Sequence, residues 1–231
     1  MAKGSRRAYR TGLSRAVIVE GALALTAERG LDGWSMRDLT GRLDTSLSVI
    51  YHHVGDRQRV CAAVIDRIFA EIDLNLGEPD WRKLLHGILS QIIEHFSGYP
   101  GTATWLLRNG PQTEELLPSM DAGMTRMLEA GWGEEAAIAY SVAFNSCLGM
   151  IALGDQRASD DGELGMAGLQ SLLAGRPDAG PGAQEMLRMV RRYVGNPRER
   201  DAAHREQCRY ALERTLEGMA ARLEVIRNAS P

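Results

Sequence analysis

Residues 35–57, Ser-Met-Arg-Asp-Leu-Thr-Gly-Arg-Leu-Asp-Thr-Ser-Leu-Ser-Val-Ile-Tyr-His-His-Val-Gly-Asp-Arg, restrict the fold more than any other stretch of the chain. Ser35 is a good N-cap, and Asp38 three residues on makes a capping-box signal. Met36, Leu39 and Leu43 follow at helical spacing and give one apolar face. Asp44, Thr45 and Ser46 are polar and interrupt that face, and Ser46 is placed to cap a second helix over Leu47–His53. On this helix Ile50 and Val54 lie four apart and face inward. Leu47, Ser48, Val49, Tyr51, His52 and His53 are left to cover the other faces. A helix this short, with hydroxyls, a phenol and imidazoles outward, is poor at burying itself, so another surface is expected to meet it.

Two short helices joined by a tight turn form a helix-turn-helix, whose second helix fits the major groove of DNA. With its flanks the stretch resembles the TetR (tetracycline-repressor) family of transcriptional regulators. The matching residues are Ile18, Ala22, Leu25 and Gly30, then Arg37-Asp38-Leu39, then Leu43, Ser46, Ile50-Tyr51, His53-Val54 and Arg57. Tyr-x-His-Val with a basic residue three further on is the most specific part. The resemblance covers about the first quarter of the chain. Asp44 stands where a turn glycine is common, and Thr45 where a small apolar residue is common. The resemblance implies DNA contacts from Arg37, Leu47, Ser48, Val49, Tyr51, His52, His53 and Arg57. Arg37, Tyr51, His53 and Arg57 suit phosphates, which set register. Leu47 and Val49 have no hydrogen-bonding group and read only thymine methyls or shape, whereas Ser48 and His52 suit base edges.

The formal net charge of −3 at first disfavours a nucleic-acid partner, but its distribution does not. Lys3, Arg6, Arg7, Arg10 and Arg15 fall within the first fifteen residues with no acidic residue among them, a sufficient electrostatic footprint beside a groove-reading helix. No apolar segment follows them as in a secretory signal. No long apolar run is evident, so no membrane span is expected. Cys61, Cys147 and Cys208 are odd in number and far apart, which fits reduced thiols in a cytoplasmic protein.

The periodicity predicts an all-α chain in three parts: an arm and helix-turn-helix unit over 1–56, a connecting helix over 57–76, and a helical effector-binding and dimerisation domain over 77–231. In the connecting helix Val60, Val64, Ile68 and Ile72 recur every fourth residue, for a rod of about 30 Å. Helices follow at Trp81–Phe96 and Thr102–Asn109. The next is expected to start at Gly110-Pro111, break near Pro118 and continue to Ala130. A long apolar helix is expected over 134–153. The stretch 154–182, rich in Gly, Asp, Ser and Pro, reads as irregular apart from a short helix near 166–173. Helices at 184–194 and 200–228 complete the chain.

No metal or cofactor motif stands out. His52 and His53 point about 100° apart, and His86 and His95 lie nine apart, so neither pair has zinc-ligand spacing. No phosphate-binding loop and no nucleophile with an obvious base is present, so neither catalytic residues nor a cofactor are expected. The resemblance implies an effector cavity in the second domain, usually for a small apolar or amphipathic molecule. Phe96, Trp105, Met120, Met124, Met127, Tyr140, Phe144, Cys147 and Met189 are its expected lining, with Asn145 or Tyr140 as polar contacts. It also implies a homodimer through the helices 134–153 and 200–228. The former carries the small residues Ala139, Ala143, Ser146 and Gly149. The latter carries a stripe of Leu212, Leu216, Met219, Leu223 and Ile226 that equally suits covering the core of its own chain. The alternative to a regulator is an all-helical small-molecule-binding protein or enzyme with structural N-terminal helices.

Overall fold

The computed structural model describes residues 13–112, 114–176 and 178–229. Among these, all regular structure is helical. The basic residues Lys3, Arg6, Arg7 and Arg10 lie outside the described residues.

The first four helices, α1 (Arg15–Arg29), α2 (Met36–Arg42), α3 (Leu47–His53) and α4 (Arg57–Phe69), form an N-terminal bundle. Ile18, Ala22 and Leu25 of α1 are buried with Leu39, Ile50, Val60 and Val64. Gly30 ends α1 at φ 76°, where a side chain would be strained. The link to α2 is pinned by Trp34, whose indole N–H donates to the buried Thr26 hydroxyl at 3.0 Å.

The connecting helix is shorter than its apolar spacing predicts. α4 ends at Phe69, about 20 Å from its start at 1.5 Å per residue. Ile72 keeps its place in the core, but the chain reaches it through turns. The residues beyond it, Asp73, Asn75, Gly77 and Pro79, are weak helix formers.

α5 (Trp81–Phe96) and α6 (Thr102–Asn109) keep the predicted bounds, α5 capped by Asp80, whose carboxylate accepts from the Lys83 N–H. α7 spans Leu117–Glu129, so Pro118 sits in its first turn rather than breaking a longer helix. A proline there loses no hydrogen bond that the helix would otherwise make. A 3-10 turn, Gly133–Glu135, leads into α8 (Ala136–Arg157). α9 (Asp160–Ala174), α10 (Pro181–Arg191) and α11 (Pro197–Ala229) follow. The expectation of an irregular 154–182 is therefore corrected. Ser159 caps α9 by accepting from the Gly162 N–H, and Asp160, Asp161 and Glu163 in its first turn suit the positive end of the helix dipole.

α8 is the centre of the C-terminal part and packs against α5, α6, α7, α9 and α11. The segment Gly133–Arg157 is long and apolar enough to cross a membrane by length and composition, contrary to the expectation that no such run exists. Its packing accounts for part of that apolarity: Ala143, Phe144, Cys147, Leu148 and Ile151 are buried among the other helices.

Candidate DNA-reading helix and effector cavity

The turn between α2 and α3 is closed by backbone bonds from the Asp44 N–H to the Gly41 carbonyl and from the Thr45 N–H to the Thr40 carbonyl, and α2 is fixed at its start. Ser35 accepts from the Asp38 N–H and its own N–H donates to the Asp38 carboxylate at 2.7 Å, a complete capping box. The Ser35 hydroxyl, with the arginine of Arg29 nearby, holds the Asp38 pKa below its ordinary value. Asp44 takes φ 47°, the one non-glycine positive φ among the described residues. The turn geometry is thus the one that glycine usually supplies, and Asp tolerates it better than most residues. Ser46 has the extended backbone of an N-cap, but its hydroxyl makes no capping bond and instead shares a 2.9 Å hydrogen bond with Ser48.

α3 is fixed by one side chain and displayed by the others. Ile50 is fully buried and Val54 packs against the core. Leu47 and Tyr51 are 46% and 50% exposed. Ser48, His52 and His53 are exposed and Val49 is half-buried. The His52 and His53 rings meet edge to face at 5.3 Å. Arg37 is exposed on the neighbouring helix.

Arg57 is placed differently. Its guanidinium donates to the Leu31 carbonyl at 2.8 Å and to the Cys61 sulfur at 3.0 Å, and lies 4.5 Å from the centre of the Trp34 ring. It braces the α1–α2 link, so its charge is turned inward.

One peptide bridges the two halves of the chain. The Pro100 carbonyl, in the α5–α6 connection, accepts from the Leu31 N–H at 2.7 Å. The N–H of the same planar peptide, at Gly101, donates to the Asp155 carboxylate of α8 at 2.8 Å. Gly101 has φ 87°, and a Cβ there would meet Leu31 at 3.3 Å, so a glycine is required for this close approach. Two further bonds cross the seam, from the Trp105 indole to Gln58 and from the Glu115 N–H to Asp66.

Beside this peptide lies a cavity of about 500 Å³, between the C-terminal ends of α5 and α8, residue 193 and the start of α11. Ile93, Pro100, Ile151 and Tyr193 supply apolar wall; Arg157, Arg200, His204 and Arg205 supply nitrogen. Arg29 of α1 reaches its edge. Burial pushes the Asp155 carboxyl up to about 6, against the opposing pull of the Gly101 N–H. Burial, with Arg157 adding to it, lowers the His204 pKa. A Cβ on Gly154 would meet the His204 imidazole, so a side chain there would displace the ring.

No protein-family model matches the sequence. A 113-residue stretch is 27% identical to the HTH-type transcriptional repressor DrrR1 of Streptomyces coeruleorubidus, covering 48% of this chain and 40% of that protein. The match therefore spans less than half of that relative. The apo structure of ActR from Streptomyces coelicolor superposes with a TM-score of 0.70 at 20% identity, over 92% of this chain and 97% of ActR. ActR in complex with actinorhodin, described as a TetR family protein, superposes equally well, at 19% identity over 91% and 98% of the two chains.

The fold is that of the TetR family. In this TetR-family fold the ten side chains expected to line a cavity do not come together around the one just described; none of them lines it. Phe96 is buried edge-on against Phe69, with ring centres 5.2 Å apart. Trp105 and Met127 are core residues, and the Cys147 thiol points at the Leu89 carbonyl. Tyr140 stacks on Phe144, and burial pushes its phenol up to about 12. Met120 and Met124 are half-buried on α7. Asn145 and Met189 are exposed. Of these residues, Phe96, Trp105, Met127, Phe144 and Cys147 fill the bundle. The cavity lining is instead built largely from charged and small residues on several elements, a pattern with no local sequence signature.

The stripe on α11 is likewise placed otherwise than a dimer face: Leu212, Leu216, Met219 and Leu223 are buried in their own chain. A different stripe remains outside. On α8, Ile138 and Val142 are 66% and 51% exposed, with Ser141, Asn145 and Ser146 beside them. On α11, Tyr210, Gly218, Ala221 and Val225 are exposed on one side.

Proposed function

We propose that the chain is a dimeric, effector-responsive transcriptional regulator, acting as a repressor, whose α3 enters the major groove of an inverted-repeat operator. The observation that carries this reading is α3 itself, anchored through Ile50 while Leu47, Ser48, Tyr51, His52 and His53 stay in solvent. Ser48 and His52 address base edges, Leu47 and Val49 address thymine methyls or shape, and Arg37, Tyr51 and His53 hold phosphates. Arg57 is left out of this set because its guanidinium already serves Leu31 and Trp34.

Two copies joined through the exposed sides of α8 and α11 would present their α3 helices about one DNA turn apart, roughly 34–36 Å. The ActR–actinorhodin complex and the repressor DrrR1 support the ligand-responsive and repressing parts of the reading. The cytoplasmic location proposed here follows from that role. An effector in the cavity shifts the DNA-binding equilibrium only by its differential affinity for the two conformers, typically about 1–3 kcal/mol.

Gel-shift and footprinting assays on the DNA upstream of the chain's own gene test this. Ser48→Ala and His52→Ala should each weaken operator binding about ten-fold without moving the melting temperature. Arg37→Gln should lower the salt slope by about 1. A protein that protects no DNA, and whose α3 variants behave as the parent does, would leave a small-molecule-binding protein with structural N-terminal helices.

A further inference from the structure

Two residues lining the cavity beside Asp155 each carry a buried side-chain nitrogen without a hydrogen-bond partner. Buried side-chain nitrogen or oxygen atoms without a partner occur at Trp132, Arg200 and His204, and two of these three residues line this one cavity. Both atoms are nitrogens, Nε of Arg200 and Nδ1 of His204.

Nε2 of His204 lies 3.2 Å from the Cys208 sulfur, and the imidazole tautomer sets which of the two donates. Nδ1 is the ring nitrogen left without a partner. Arg200 Nε–H is a donor in every state. A buried donor that lacks an acceptor calls for an acceptor-rich partner.

The charge of the lining agrees. Four arginines and two aspartates face the cavity. Arg200 pairs with Glu163, Arg29 pairs with Asp38, and Arg157 donates to Gln207 while lying over the Tyr193 ring. Arg205 has no ion pair among the described residues. Arg200, His204 and Arg205 fall on one face of α11 within about a turn and a half. Opposite them in composition are Ile93, Pro100, Ile151 and Tyr193, a wall suited to an apolar body. At about 500 Å³ the cavity is within the range that holds a drug-sized molecule.

We propose that this cavity binds an amphipathic organic anion: an apolar ring system against Ile93, Pro100, Ile151 and Tyr193, with one carboxylate, sulfonate or phenolate held by Arg200, His204 and Arg205. The inference deepens the effector-responsive reading above and rests on it for its regulatory meaning, but the binding itself does not depend on DNA. Pro100 and Asp155 both border the cavity, so the occupant touches the peptide on which the DNA-reading half is hung.

Fluorescence titration of the full chain with two dyes tests the proposal. Anilinonaphthalene sulfonate carries the apolar rings and an anion; N-phenylnaphthylamine carries the rings alone. The sulfonate should bind once per chain and at least ten-fold more tightly than the neutral amine. Arg205→Gln, at a half-buried surface position, should weaken the sulfonate about ten-fold and the amine less than two-fold. Ala158→Trp, which fills the cavity edge, should weaken both.

Equal affinity for the two dyes, or a sulfonate affinity unmoved by Arg205→Gln in a protein of unchanged circular dichroism, would overturn the proposal. So would sulfonate binding that survives Ala158→Trp but disappears in the double variant Leu164→Ser and Leu172→Ser, since that would place the dye on the exposed leucines of α9. Gel shifts on the same preparations separate the two readings. DNA binding without anion selectivity overturns the ligand class alone. Anion selectivity without any DNA binding supports the ligand class and overturns the regulator.

Discussion

Asp155→Asn is the substitution whose effect can be worked furthest from the structure. The carboxyl moves from 3.8 to about 6 on folding, with desolvation as the main cause and the Gly101 hydrogen bond opposing it. Native protein therefore holds this proton more tightly than the unfolded chain does. The stability linked to Asp155 is fully present below pH 3.8, falls as pH rises through about 6, and is constant above that. The gap corresponds to about 3 kcal/mol at neutral pH, taken as an upper figure because partial solvation of the site reduces it.

An asparagine amide has no charge to desolvate, and its oxygen still accepts from the Gly101 N–H. Asp155→Asn should therefore be more stable than the parent at pH 7.5 by roughly 1–3 kcal/mol, or about 2–4 °C in Tm for each kcal/mol. At pH 4, just above 3.8, the advantage should shrink to below about 1 kcal/mol. Urea unfolding of both proteins from pH 4 to 8 measures this, and subtraction cancels the titration of every other group. Parallel stability curves across that range would refute the reasoning, as would a variant less stable than the parent at pH 7.5.

Three other outcomes are expected. Asp44 sits at φ 47°, so Asp44→Gly should stabilise by up to about 1 kcal/mol and Asp44→Val should destabilise by more than that, read from urea midpoints. Arg57→Gln removes the Trp34 contact and a charged donor to the Leu31 carbonyl, and should cost about 2 kcal/mol; Arg57→Lys should recover only part of it. The pair Ile138→Asp and Val142→Asp should convert a dimer to a monomer in sedimentation, with operator affinity falling at least ten-fold while the far-ultraviolet spectrum is unchanged.

The helices most legible in the sequence are those with local punctuation. Ser14, Ser35, Asp56 and Asp80 each accept from a backbone N–H in the first turn of the helix that follows. Gly30 and Gly110 mark two ends through their positive φ. Some signals carry two meanings. Pro118 suits a helix break, yet a proline in the first turn starts a helix, and there it sits in α7. Glycine and aspartate content hid α9, although Ser159 followed by Asp160, Asp161 and Glu163 is a helix start. The spacing of Ile72 extended α4 too far because burial persists through a turn when the core lies on the same side. The cavity was out of reach for a different reason. Its arginines, His204 and Asp155 are spread from residue 29 to 205 and converge only once α5, α8 and α11 are packed.

A short α4 changes where coupling between the halves must run. A long rod would carry motion directly from the C-terminal helices to α3. With α4 ending at Phe69, the hydrogen bonds at the seam are Leu31 with Pro100, Gly101 with Asp155 behind it, Trp105 with Gln58, and Glu115 with Asp66, alongside the packing of Phe69 on Phe96. Only the first two share one rigid peptide and border the cavity, and the Leu31 residue they reach is itself held by Arg57 through its carbonyl. Asp155 and Arg57 are therefore the two ends of a continuous hydrogen-bonded path. A double-mutant cycle of Asp155→Ala and Arg57→Gln should show an interaction energy above about 0.5 kcal/mol in stability, whereas independent sites add to within that margin. The same cycle read in operator affinity should also be non-additive. Additivity in both would mean that the 100–101 peptide supports the seam without joining its two sides, and the path would have to run through Gln58 and Asp66 on α4 instead.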